Sequence, residues 1–132
     1  MAETNIPLRV ECTAAATALI HKLQAQHGDL LFHQSGGCCD GSAPMCYERD
    51  EFMIGDADVL LGWVEAQPFY MSAAQFEYWQ HTHLTLDVVK GRGAGFSLEG
   101  PEGVRFLIRS RLFSDSEAEY LAQHPVQKGV QH

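Results

Sequence analysis

Long apolar runs are missing from this chain. No stretch approaches the ~18–20 uninterrupted apolar residues that a membrane span needs, so a membrane-embedded protein is not expected. Basic residues are scarce: nine Lys and Arg stand against 17 Asp and Glu, for a formal charge of −8. That balance argues against general nucleic-acid binding and against docking on anionic membranes, both of which call for a basic face. The opening "MAETNIPLRVEC" has neither a basic start nor an apolar signal segment. The expectation is therefore a cytoplasmic protein whose thiols stay reduced. Internal repeats, linkers and low-complexity tracts are also absent. The 132 residues read as one domain, 1–132, with a core over 8–120 and a tail over 121–132.

The chain opens on a helix. Thr13 has the chemistry of an N-cap, Ala16, Leu19, Ile20 and Leu23 recur at helical spacing, and Gly28 follows as a stop. From Leu30 the pattern turns to strands: "LLFHQ", the extended "MCY", "EFMI", "DVLLGWVEA" and "PFYM". Ser72 followed by Gln75 predicts a short helix over 73–80. "HLTLDVVKG", "FSLE" and "VRFLIRSRLF" continue the strands, with a "GRGAG" loop and a "GPEG" turn between them. Ser114 and Glu117 open a last short helix, and "HPVQKGVQH" reads as a frayed tail. Strands this numerous, with one helix before them and one inserted among them, predict an α+β fold with a mostly antiparallel sheet folded over as a sandwich; the βαβ alternation of a parallel sheet is absent.

The stretch most in need of a chemical explanation is "HQSGGCCDGSAPMC", which holds three of the four cysteines. Asp40-Gly41 is a hairpin signal, and a turn brings the residues of its two arms together. Cys39 and Cys46 flank it, with His33 one strand upstream. In a reducing compartment such a cluster points to metal or redox chemistry, not to a disulfide framework. The candidate ligands are His33, Cys38, Cys39 and Cys46, and thiolates favour zinc or iron. Cys38 and Cys39 are neighbours whose side chains diverge on extended backbone, so only one of them is expected on a given ion. Asp40 is a further candidate as ligand, acceptor or turn residue. Two other readings stay open, a glycine-rich hairpin whose cysteines merely pack and a reactive thiol.

Two more constellations stand out. His81 and His83 would share a face on extended backbone and could extend a metal site or line a pocket; solvated histidines are the plainer alternative. Arg105, Arg109 and Arg111 alternate along one face of the last long strand, as an anion-binding stripe would. The plainer alternative pairs them with acids such as Asp87 or Glu99. His21, His27, His124 and His132 have no partner in sequence and are expected at the surface, and Cys12 is expected to be structural.

Taken together, "SGGCCDGSAPMCY", "GDADVLLG", "LDVVKGRGAGFSLE" and "GVRFLIRSRLF" resemble the bacterial domain-of-unknown-function family 779, from about residue 8 to residue 120. Members of that family are often encoded beside aldehyde or alcohol dehydrogenases, which implies an accessory role and such an enzyme as partner. The order of pieces, from Thr13 to Leu23, "LLFHQSGGC", "SAAQFEYW", "LDVV" and "GAGF", is also similar to the HesB-like, A-type iron–sulfur carriers. In that resemblance Cys38 matches the carriers' first cysteine, while Cys39 and Cys46 are additions. The carriers end in Cys-Gly-Cys, and this chain has no cysteine after Cys46. A HesB-like fold is thus implied, but an iron–sulfur cluster is less expected than a zinc or iron ion. The sequence favours a small metal-binding accessory protein over a metalloenzyme acting on a small molecule or a thiol redox protein. A homo-oligomer is compatible with all three.

Overall fold

The computed structural model describes residues 8–34, 44–51, 55, 57–91, 97–124 and 127–128. In chain order these form β1 (Val10–Cys12), α1 (Ala14–His27), β2 (Leu30–Gln34), β3 (Met45–Glu48), β4 (Asp58–Val64), β5 (Gln67–Ser72), α2 (Ala73–Trp79), β6 (Thr82–Lys90), β7 (Val104–Leu112), α3 (Asp115–Ala122) and β8 (Gln127–Lys128). The fold is α+β. Among the described residues no helix is long and apolar enough to cross a membrane.

Local chemistry sets the helix ends as the sequence predicts. Thr13 Oγ1 accepts from the Ala16 amide at 3.1 Å, Ser72 Oγ from Gln75 at 3.2 Å, and Ser114 and Glu117 form a complete capping box. Gly28 ends α1 at φ 84°, a conformation open to glycine at little cost.

The strands divide into two sheets, ordered β1-β6-β7 and β3-β2-β5-β4-β8. Among the described residues, four strand pairings are antiparallel, β2–β3, β4–β5, β4–β8 and β6–β7, as a mostly antiparallel arrangement predicts; β1 runs parallel to β6 and β2 parallel to β5, so both sheets are mixed. Both β1 and β8 fall outside the strands expected from pattern. With three and two residues respectively, they are too short to show periodicity. Residues 127 and 128, in the expected tail, pair with Leu60 and Val59. The described part of "FSLE" is not a strand: Ser97, Leu98 and Glu99 form a bend and turn, with Ser97 and Glu99 buried. Glu51 lies in a 3₁₀ turn (Arg49–Glu51), and the rest of "EFMI" lies outside the described residues.

The apolar faces of the two sheets and of α1 share one core. Phe32 of β2 stacks on Phe69 of β5 with ring centroids 6.0 Å apart, and meets Phe106 of β7 edge-on at 5.0 Å. A Cβ on Gly62 of β4 would lie 3.2 Å from Val10 Cγ1 of β1, so a small residue is needed where these strands cross. Asp87 of β6 ties the N-terminus of α1 to its sheet: it accepts from Thr13 Oγ1 at 2.9 Å and from Arg109 Nε at 2.8 Å. The Arg109 bond, before other causes, holds its carboxyl below the usual carboxylate range.

The β4–β5 hairpin turns through Glu65 and Ala66, both at positive φ, 50° and 68°. Two left-handed residues suit a tight hairpin, yet neither is glycine. Gln67 braces the turn by donating to Glu65 O at 2.8 Å and accepting from the Leu30 amide at 2.7 Å. Ala66→Gly should raise unfolding stability by about 0.5–1 kcal/mol, seen as a higher denaturant midpoint. An unchanged or lower midpoint would show that the turn is not strained.

Candidate functional site

The cysteine hairpin is built on β2 and β3, which pair antiparallel with Phe32 opposite Cys46 and His33 opposite Met45. Directly opposed residues point to the same face, and neighbours along a strand point to opposite faces. Cys46 therefore faces the core with Phe32, while His33 faces the other way. The two candidate ligands that the structure describes are not brought together. His33 Nε2 instead lies 2.7 Å from Asp58 Oδ1, both largely buried. Cys38, Cys39 and Asp40 lie outside the described residues. Among the described residues, no three His, Cys, Asp or Glu side chains are grouped as a metal would require.

Around Cys46 the structure assembles a site that pattern reading missed. Cys46 is fully buried. Its amide donates to Ser97 Oγ at 2.8 Å, and its carbonyl accepts from the Leu98 amide at 3.0 Å. Ser97 Oγ in turn donates to Glu99 Oε1, and Glu99 Oε2 accepts from the Phe106 amide at 3.2 Å. The segment from Ser97 to Glu99 thus covers the open edges of both sheets, β3 on one side and β7 on the other. Glu99 is 1 % exposed, and no cationic side chain bonds to it among the described residues. Burial, and next the charge of Glu99, push the Cys46 thiol well above the usual range. An acid inside an apparent strand gave no sequence signal of this role; only the return of "SLE" onto β3 reveals it.

The two histidines of "HTH" separate. His81 ends the turn after α2 and is exposed, lining a hollow between α2 and α3. His83, on β6, is buried and sits 2.7 Å from Glu11 Oε2 of β1. The three arginines do share a face of β7, opposite Val89, Thr85 and His83. Arg109 pairs with Asp87, and Arg111 donates to both oxygens of Glu117 at 2.9 and 3.0 Å. Glu99, the other acid considered for this stripe, serves the buried site instead. Cys12 lies 3.3 Å from Thr17 Oγ1, away from the other described thiol. His21 and His27 meet Glu65 and Glu48.

A family model described as "Domain of unknown function (DUF779)" matches residues 19–112. The chain belongs to this family. The match takes in the whole hairpin from His33 to Cys46, the turn of Ser97 and Glu99, and the arginine strand. No curated protein matches the chain.

Two outcomes follow. Iodoacetamide near neutral pH should leave Cys46 unmodified in the folded protein, as read by digestion and mass spectrometry, since the thiol is buried and slow to ionise; fast labelling before unfolding would contradict this. The bond to Arg111, ahead of other causes, pushes Glu117 down from 4.5 to about 2. A depressed carboxyl stabilises the fold above its unfolded value and loses that contribution as pH falls toward its folded value. Arg111→Gln should therefore lower the thermal midpoint relative to wild type above pH 4.5, with the gap closing as pH falls toward about 2. A gap independent of pH would sink the assignment.

Proposed function

We propose that this protein is a small metal-binding accessory protein, and that zinc or iron is held between the arms of the β2–β3 hairpin by Cys46 with Cys38 or Cys39. One observation carries the reading: a buried thiol and the buried carboxyl of Glu99 are neighbours, and no cationic side chain bonds to that carboxyl among the described residues. Burying negative charge without a partner is costly, and a bound cation supplies the missing charge. A thiolate and a carboxylate suit zinc or ferrous iron better than magnesium or calcium. Glu99 joins the candidate ligand set on this argument. His33, on the opposite face and beside Asp58, is read as structural.

A reducing, cytoplasmic setting keeps the thiols available in this reading. An aldehyde or alcohol dehydrogenase is the proposed client, on the family-level association alone. The contact of Phe32 with Phe106 across the two sheets supports a sandwich, and the run from a capped helix into a buried strand supports a HesB-like arrangement of it.

The test is metal content of untagged protein, wild type against Cys39→Ser, Cys46→Ser and Glu99→Gln. Glu99→Gln removes the charge at nearly the same size; its one oxygen can still accept from the Phe106 amide, while its NH2 faces Ser97 Oγ as a donor. We expect about one zinc or iron per chain in wild type, falling at least tenfold in Cys46→Ser and clearly reduced in Glu99→Gln. Full occupancy in all three variants would place the site elsewhere. No metal in wild type, together with thiols that cycle with oxidant, would make this a redox protein.

A further inference from the structure

We propose that the hollow between α2 and α3 is a binding site for a small monocarboxylate with an apolar body. The cavity measures about 420 Å³, within the range of small-ligand pockets. Its walls include Arg9, Phe76, His81, Phe113 and Leu121. Phe76, Phe113 and Leu121 supply an apolar surface, and among the described residues neither Asp nor Glu lines the hollow, in a chain with 17 acids.

Arg9 sets the ligand class. It precedes β1, is partly buried, and its guanidinium lies over the Phe76 ring, 5.5 Å from the centroid. Nη2 donates to the carbonyls of Leu121 and His124 at the end of α3, at 3.1 and 3.4 Å. Those bonds answer the negative end of the helix. Nε and Nη1 have no hydrogen-bond partner, and the guanidinium faces no carboxylate, among the described residues. Elsewhere in the chain Arg49, Arg109 and Arg111 each lie within 4 Å of an acid: Asp29, Asp87 and Glu117. Arg9 therefore keeps a charge and, among the described residues, two unpaired donor nitrogens on the wall of a mostly apolar hollow whose other polar side chains are Gln80 and His81. A carboxylate accepts from that fork by charge-assisted hydrogen bonds, with the exposed His81 at the rim as a second polar contact. A phosphate dianion would call for more positive charge than one arginine and one histidine provide, so the monocarboxylate is the better fit. This inference is independent of the metal reading, since none of the lining residues belongs to the cysteine hairpin.

The experiment titrates the full chain with benzoate and with hexanoate, using benzamide as a neutral match of benzoate, and follows amide resonances. Benzoate or hexanoate should shift Phe76, His81, Phe113 and Leu121, and benzamide should need roughly tenfold more for the same response. Arg9→Lys should weaken carboxylate binding by roughly tenfold. Because Arg9 also holds the end of α3, Ala118→Leu provides a second variant. It fills the hollow from an exposed helix position and should abolish binding with an unchanged melting temperature. Binding of neither carboxylate, equal binding of benzamide, shifts that map away from the hollow, or full affinity in Ala118→Leu would each overturn the proposal.

Discussion

The position of Phe32 governs the layout of this protein. Its ring is one place where the five-stranded sheet touches the three-stranded one, stacked on Phe69 from its own sheet and edge-on to Phe106 from the other. Once that ring faces inward, the pleat of the strands decides the rest. Cys46, opposite Phe32, has to enter the core, and His33, the next residue along, has to leave it. The histidine of the hairpin and its one described cysteine are parted by the alternation that packs the hydrophobic interior.

Features decided by short-range chemistry could be read from the sequence. The three caps at Thr13, Ser72 and Ser114 depend on a hydroxyl and an amide three residues apart, and all three form. The long strands β6 and β7 showed their alternation, and the pairing of Asp87 with the arginine face was within reach. What could not be read depends on residues distant in sequence. The parallel partnerships join β1 to β6 and β2 to β5, strands far apart in the chain. Glu99 looked like the polar member of an alternating strand, but it accepts bonds from Ser97 and Phe106 inside the core. The pattern that suggested a strand at "FSLE" is satisfied by a turn whose two polar residues point inward.

Several charged groups have more than one task. Asp87 caps Thr13 from the sheet and also anchors Arg109. Arg9 closes the end of α3 and still offers donors to a hollow. Glu99 bonds toward two sheet edges and sets a carboxyl beside a thiol. In a chain of this size, with few basic residues, such double use concentrates polarity at a handful of interior points and leaves the rest of the core apolar.

The parallel pairing of β1 carries a consequence for the order in which the chain can acquire its shape. Val10, Glu11 and Cys12 pair with Leu84, Thr85 and Leu86, more than half the chain away. The cap of α1 is likewise braced by Asp87. During synthesis the first strand leaves the ribosome early, with no partner until β6 follows. The five-stranded sheet can join β2, β3, β4 and β5 before then, lacking only β8. β1 therefore waits for β6 before it can be seated, and closing so long a loop slows that step of folding.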